Sequence, residues 1–509
     1  MGLAPFFDRA RQSAAQVLRD FDPGAFEKRL DEVTVTIAFD THAATCLEGV
    51  AALDLSTRLI ARLYPRVRVL SLGGDHAHAD ELIVLLRAIN PNVEIVDLPV
   101  GEDIVVVAGV TEAPAGRVIY MGSDRWIARV GTARPLGFGT STNPFGAGAA
   151  ACIAVANVFR AVFTGWLTRP DLDEDLTISL LNFATGEDAA NGDLPTGMDI
   201  GLAQLVGVGA IGNAFVWAMS KLQCVAGHLH LIDHEQVELT NLQRYVLPTM
   251  ADEGAVKVDV AVAAMQGGGI SATAFRSTWA EYVQDPAHRA CELVAVALDT
   301  ARDRVQVQSS LPRRIVNSWT QAGDLGISRH EFDGEDACLA CLYLPDSARR
   351  NEDEIVLEEL GFPPEQKMEI RSMLHFGTPV SEHFARLVAS QLGIAVDVLL
   401  PFVGLPLRAF RQKAICGNAI MRAKDGGGAD VEVPMAFQSA LAGVMLAAEV
   451  VASGSVLRSA PVRGRTTIDL MRRLPGHISY PARKGTNGTA RCICQDADYL
   501  DVYRDKYSA

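Results

Sequence analysis

The sequence lacks a surplus of positive charge: 46 Lys and Arg stand against 61 Asp and Glu, a formal net charge of −15. That balance argues against a nucleic-acid binder, which needs a basic footprint. It also lacks an apolar stretch long and uncharged enough to span a bilayer. The nearest candidate, MAFQSALAGVMLAAEVVASG, contains Gln438 and Glu449 and reads as a core helix. No secretory signal is apparent, so the nine cysteines are expected as thiols, not as a disulfide framework. The expectation is a soluble cytoplasmic protein with neither nucleic acid nor membrane as a partner. What is plentiful is apolar: 49% of 509 residues, enough for a large core and two or three domains.

The region up to about residue 190 alternates strand and helix patterns, with VTVTIAFD, VRVLSL, VEIVDLP, DIVVVAGV and RVIYMG as strands. It has no G-x-G-x-x-G: the first strand runs into THAATCLEG. Gly146 and Gly148 form a GAG that opens a late helix, and they are read as close helix packing. That helix, NPFGAGAAACIAVANVFRAVF, precedes the strand TISLLNF. Late in the chain VPMAFQSALAGVMLAAEVV precedes TTIDLM in the same order. The reading is an internal pseudo-repeat.

The second copy holds what the first lacks. LAQLVGVGAIGNAFVWAMSKL reads as strand, glycine turn and helix, with Gly207, Gly209 and Gly212 in the G-x-G-x-x-G pattern. The first glycine allows the turn, the second lets backbone N–H groups approach a phosphate, and the third lets helix and strand pack closely. Asp233 ends the next strand, HLHLID, at the spacing that suits a ribose hydroxyl of NAD or of ATP alike. TNLQRY then brings Asn241 and Arg244, and EGAVKVDVA brings Lys257. A dinucleotide dehydrogenase has no evident need for that pair, whereas the β and γ groups of a triphosphate do. Asp299 closes the strand pattern ELVAVALD, where a carboxylate suits Mg²⁺. Taken singly, Arg244 and Lys257 read as solvated surface charges and Asp299 as an N-cap; the joint pattern is what stands out.

This series, a glycine loop followed by Asp, Asn-Leu-Gln-Arg, Lys and a later Asp, resembles the ThiF/MoeB and ubiquitin-activating enzyme family over roughly residues 200–345 and 411–500. The resemblance implies that Asp233 holds the ribose of ATP, that Asn241, Arg244 and Lys257 contact its phosphates, and that Asp299 binds Mg²⁺. It implies attack of a C-terminal carboxylate on the α-phosphate, giving an acyl-adenylate and pyrophosphate. It also implies paired adenylation folds, here one inactive and one active in a single chain, and an N-terminal arginine that crosses to the partner's ATP. Arg11 is the candidate for that arginine, in competition with Arg9 and Arg19.

Cys338 and Cys341 form a C-x-x-C, and Cys492 and Cys494 a C-x-C. Four thiolates suit one tetrahedral structural Zn²⁺, and family members place cysteine pairs at these two points; the shorter second pair departs from their spacing. Cys416, in RQKAICGNAIM, occupies the place of the cysteine that captures the activated carboxylate in related enzymes, with Arg411, Lys413 and Arg422 nearby to lower its pKa. Cys46, Cys152, Cys224 and Cys291 read as small buried hydrophobes, and His228 and His230 as structural residues on a strand. His76 and His78 lack the further ligands a metal site needs.

The expected fold class is therefore α/β, with two Rossmann-like adenylation folds in one chain. The expected domains are an inactive copy over 1–190 and the first part of the active copy over 191–345. A helical catalytic-cysteine insertion follows over 346–415, then the crossover and the remainder of the active copy over 416–509. Helical patterning in the insertion, as in SEHFARLV with Ser381 as N-cap, tilts the reading toward thioester formation. The expected activity is ATP-dependent activation of a ubiquitin-like protein ending in glycine, with transfer to a conjugating enzyme of E2 type. The resemblance is greatest to activating enzymes of bacterial ubiquitin-like conjugation operons, some tied to antiphage defence. Two alternatives stand beside it: adenylation of a sulfur carrier or peptide without a thioester, and an NAD-binding enzyme or non-catalytic module.

Overall fold

The computed structural model describes residues 2–113, 115–344, 352–411, 414, 433–453, 457–458, 460–462, 464–475, 478–487 and 490–508. They form two compact units. One comprises Met1–Leu344, Val433–Thr486 and Ala490–Ala509; the other comprises Pro345–Glu432 and Asn487–Thr489.

The larger unit holds two sheets. The first has strands β1 (Val33–Phe39), β2 (Arg66–Ser71), β3 (Glu94–Ile95), β4 (Glu102–Ala108), β5 (Arg117–Asp124), β6 (Ile127–Gly131) and β7 (Asp175–Ser179), in the order β3-β2-β1-β4-β5-β6-β7. The second has β8 (Asp199–Val206), β9 (Ala226–Ile232), β10 (Ile270–Phe275), β11 (Leu293–Val296), β12 (Arg314–Thr320), β13 (Leu325–Glu331), β14 (Arg465–Ile468) and β15 (Ser479–Tyr480). Their order is β10-β9-β8-β11-β12-β13-β14-β15. The first five strands of each order pair in parallel, and the rest pair antiparallel. The two halves thus repeat one topology, and the second adds an edge strand. The central strands are β-branched and covered on both faces, which is why β1 reads VTVTIAF and is buried throughout.

Two helices join the halves. Contrary to the sequence reading, Phe145–Val162 and Ala436–Ser453 do meet the length and apolarity of a membrane span, yet they are 100% and 94% buried within the protein, as core helices are. Their small residues permit close approach. A Cβ on Gly148 would lie 2.8 Å from the Trp217 ring, and one on Gly443 would lie 2.3 Å from the Ile211 carbonyl. Each helix also carries one end of a buried ion cluster. Arg160 pairs with Asp173. Glu449 accepts from Arg458 at 2.8 Å twice and pairs with Arg329 at 2.8 Å.

The second unit is helical, with Glu352–Glu359, Lys367–Phe376, Glu382–Leu392 and Leu407–Phe410 around their own core of Val356, Leu360, Ile370, Phe384 and Val388. Ser381 caps its helix as its spacing foretells, accepting from the Phe384 amide at 3.1 Å.

Two further sequence readings need correction, and one strand escaped the sequence reading. VEIVDLP contributes only the two-residue edge strand β3, because Asp97-Leu98-Pro99 turns the chain away. Strand β6 carried no clear signal: its hairpin turns at Arg125, which takes φ 56° without a glycine or asparagine to announce it. Cys224 is exposed, not buried, since it lies in the loop after Ala210–Ser220.

Candidate nucleotide site and cysteine cluster

In an open α/β sheet, ligands gather outside the carboxyl ends of the strands where the strand order reverses. Here that point lies between β8 and β11. Gly207 follows β8, Asp233 follows β9 and Asp299 lies just past β11.

Gly207 takes φ +91°, and a Cβ there would stand 2.7 Å from the Ala297 carbonyl. Gly212 faces the same limit, 2.2 Å from the Gly207 carbonyl. Gly209 differs: the nearest atom to a Cβ would be the Tyr245 hydroxyl at 3.6 Å, so its smallness leaves open space above the loop. Asn213 ties the loop down, its Nδ2 donating to the Val208 and Gly209 carbonyls at 2.9 and 3.0 Å. Asp233 accepts from the Val208 amide at 2.8 Å and the Glu235 amide at 2.9 Å, joining the ends of the two central strands.

The cations gather at the same place. Lys257 opens the helix Lys257–Ala264 and is only 5% exposed. Its ammonium bonds Glu235 and sits 5.2 Å from the centre of the Tyr245 ring. Burial alone would pull its pKa down, but Tyr245, Asp233 and Glu235 outweigh it and hold the value above the usual lysine range. Arg244 lies over the same ring at 5.7 Å. Burial lowers its pKa against the opposing pull of Tyr245 and Asp299. Its Nη1 is buried with no protein partner among the described residues. An unsatisfied buried guanidinium nitrogen is costly, and an anionic oxygen would satisfy it. Asn241 builds the turn: its Oδ1 accepts from the Glu238 amide at 3.0 Å, and its carbonyl accepts from the Arg244 and Tyr245 amides at 3.0 Å. Asp299 is exposed at the mouth, and Thr300 rather than Asp299 caps the following helix.

The residues therefore fit a nucleotide with its phosphates over the glycine loop and a divalent cation at Asp299. Tyr245 and Glu235 join this cluster unannounced; their only sequence signal is adjacency to Arg244 and Asp233. Arg11 lies in the helix Phe7–Val17, which packs against the Leu239–Gln243 turn. Its guanidinium engages Glu27 at 3.2 Å and Asp8 at 3.1 Å.

In the first half the equivalent crevice, between β1 and β4, is bridged by protein. Asp40 follows β1 and accepts from the Val110 amide at 2.7 Å, the Thr111 amide at 3.0 Å and the Thr111 hydroxyl at 3.0 Å. A carboxylate there meets the donors of the opposite loop.

The second cluster is sulfur. Cys338, Cys341, Cys492 and Cys494 are all buried, and their Sγ atoms lie within 4.8 Å of one another. Three of the separations are 3.4, 3.5 and 3.8 Å. Zn–S bonds of about 2.3 Å in a tetrahedron place sulfurs about 3.8 Å apart, so the donor set and its size fit zinc, the shorter C-x-C included. Cys416 lies outside the described residues.

Two family models match parts of this chain. Residues 202–473 match the model of the ThiF family, and residues 38–164 match that of Prokaryotic E2 family C. A relative, uncharacterized protein y4jF of Sinorhizobium fredii (strain NBRC 101917 / NGR234), is 43% identical over 513 residues, covering 100% of this chain and 98% of the relative. Among solved structures, E. coli MccB with MccA-N7isoASN aligns at 15% identity and TM-score 0.34, over 58% of this chain and 66% of that one. E. coli MccB with ATP aligns at 15% identity and TM-score 0.32, over 57% and 65%. The chain thus spans just under two thirds of the length of those MccB chains. The ThiF model accounts for more than half of the sequence, and the chain belongs to the ThiF family, a family of ATP-dependent adenylating enzymes.

Proposed function

We propose that this protein activates the C-terminal carboxylate of a ubiquitin-like protein with Mg·ATP, loads it on Cys416, and passes it to a conjugating enzyme. The observation that carries the first step is a pair of cations, the buried Lys257 and Arg244 with its buried, unpartnered Nη1, set beside Asp233 and Asp299 at the strand-order reversal. A carboxylate oxygen of the carrier attacks the α-phosphorus of ATP. The bond from that phosphorus to the β-phosphate oxygen breaks, and pyrophosphate leaves. Charge builds on the departing group, and fixed cations in a desolvated site stabilise it without reorganising. Arg244 and Lys257 are placed for that, while Gly209 leaves room for the chain of phosphates. Mg²⁺ held at Asp299 would supply further neutralisation.

The Cys416 thiolate then attacks the acyl carbon, the bond to AMP breaks, and a thioester forms. Support for this second step is the separate helical unit inserted between the halves of the cysteine cluster, together with the Prokaryotic E2 model matched by residues 38–164. The four clustered cysteines take a structural role with zinc.

ATP–pyrophosphate exchange tests the reading, measured with and without a small ubiquitin-like protein ending in glycine. Exchange is expected to depend on that protein and to fall by a factor of about 10² or more in Lys257→Ala, the scale for removing one transition-state charge partner. Cys416→Ala is expected to leave exchange intact and to abolish the thiol-reducible conjugate. Exchange without any conjugate on the wild-type enzyme would point instead to adenylation without thioester transfer.

A further inference from the structure

The segment Tyr245–Pro248 runs directly out of the Arg244–Tyr245 corner of the nucleotide site, and its backbone belongs to neither helix nor strand. Four successive carbonyls there need partners. They find them in the other half of the chain. Arg58, in the last turn of Leu47–Ile60, donates through Nη1 to the Val246 carbonyl at 2.9 Å and the Leu247 carbonyl at 3.2 Å. Arg62, just past that helix, donates through Nη2 to the Tyr245 carbonyl and, at 3.1 Å, to that of Pro248. Its Nη1 closes the helix end by donating to the Arg58 carbonyl.

These are costly groups to place so. Arg62 is 1% exposed, and no carboxylate touches it among the described residues. Burial, then the neighbouring Arg58, pull its pKa down to about 9 against the weaker opposing pull of Asp54. Asp54 itself is committed to Arg58, at 3.0 Å, and to the Trp217 indole N–H at 2.7 Å, and so ties the pair to the glycine-loop helix Ala210–Ser220. A buried cation bonded chiefly to carbonyls is retained against a desolvation cost. Ordinary helix capping explains only the bond to Arg58.

We propose that Arg58 and Arg62, from the half that lacks the glycine loop, are positioning residues for Arg244 and Tyr245, and that the nucleotide site is complete only while this brace holds. The corner is pinned from two sides: by the Asn241 turn before it and by the two guanidiniums after it. Arg244 can hold an unsatisfied buried nitrogen toward the ligand only if its backbone does not relax. This inference rests on the adenylation reading above. It gives the first half a role in the reaction that needs no nucleotide of its own.

The test uses the full chain, Mg·ATP as the probe, and the variants Arg62→Met, Arg62→Lys and Arg58→Met. Two quantities are read: amide hydrogen exchange along the chain and ATP affinity by calorimetry. In Arg62→Met, exchange over residues 241–248 is expected to accelerate about tenfold or more, the loss expected for one charge-assisted hydrogen bond. ATP affinity falls by a similar factor, while amides of β11 and β12 keep their protection. Arg62→Lys keeps the charge at the helix end but not the fork that spans two carbonyls; it should restore the melting temperature without restoring affinity. If Arg62→Met fails to fold, Arg58→Met gives the same readout through Val246 and Leu247. Unchanged exchange at 241–248, acceleration spread over both sheets, or unchanged ATP affinity despite local acceleration would each overturn the proposal. A wild-type chain that binds no ATP overturns the adenylation reading, and hydrogen exchange alone then decides the brace.

Discussion

If the cysteine cluster holds zinc as proposed, removing that metal should release the C-terminal helix before anything else. That helix, Ala497–Tyr507, follows directly on Cys494 and covers a small core of Leu311, Phe332 and the four cysteines. Its other attachments are modest. Tyr507 donates to the Cys291 and Leu311 carbonyls at 2.9 and 3.0 Å, and Lys506 to the Ser310 and Leu311 carbonyls at 2.8 and 3.0 Å. Such bonds are worth about 1 kcal/mol apiece. Tyr503 lies 5.2 Å from the Phe332 ring, worth roughly 0.5–1.5 kcal/mol. The exposed Arg504–Asp333 pair adds little. These sum to a few kcal/mol, against about 10–16 kcal/mol for binding a structural zinc. The helix without metal is therefore marginal, since eleven residues seldom hold a helix unaided. The assay is metal content by atomic emission, then hydrogen exchange before and after chelation, with Cys341→Ser as the genetic equivalent. About one zinc per chain is expected, as is loss of protection over 497–507 and 338–343 while β8 and β11 stay protected. A purified chain free of metal that already protects residues 497–507 would refute the reasoning.

Three further substitutions test the other parts. Gly207→Ala and Gly209→Ala should separate strain from access. The first places a Cβ 2.7 Å from the Ala297 carbonyl at φ +91° and should lower the melting temperature, with about 1–2 kcal/mol from the left-handed backbone alone. The second meets nothing closer than 3.6 Å and should spare stability while weakening ATP binding; equal melting losses would contradict this. Glu449→Gln should cost about 3–5 kcal/mol at neutral pH by stranding Arg329 and Arg458. Burial pushes the Glu449 carboxyl up, but the two arginines more than reverse it, so its folded pKa lies below the usual 4.5. Its contribution is then full above pH 4.5 and is lost as pH falls through the lower folded value. The gap between wild type and variant in urea unfolding should narrow on acidification; a gap independent of pH would refute the assignment.

The candidate nucleotide site was legible because its chemistry is local. A glycine loop must be glycine where a Cβ would strike a carbonyl, as at Gly207 and Gly212, and phosphate-binding cations must follow at the distances one βαβ unit allows. The same locality identified the two cysteine pairs. Reading along the chain also found the repeat, because both long helices need small residues to approach each other. Other features depend on distant partners and left no mark. The Arg125 turn carries an ordinary residue in an unusual conformation. Tyr245 looks like any aromatic until Arg244 and Lys257 settle against its ring.

What the sequence determined by itself was the alternation of strand and helix, the second copy's glycine loop with its charged followers, and four thiols in two pairs. Tertiary structure alone decided that the C-x-C closes the same cluster as the C-x-x-C, some 150 residues away. It also decided that Asp40 bridges the first crevice, that Arg11 turns to Glu27, and that Arg58 and Arg62 bond the carbonyls of Tyr245–Pro248. The reason is physical. Period and spacing record what a residue does to its neighbours along the chain, whereas burial of a charge or a thiol is set by whatever the fold brings opposite it.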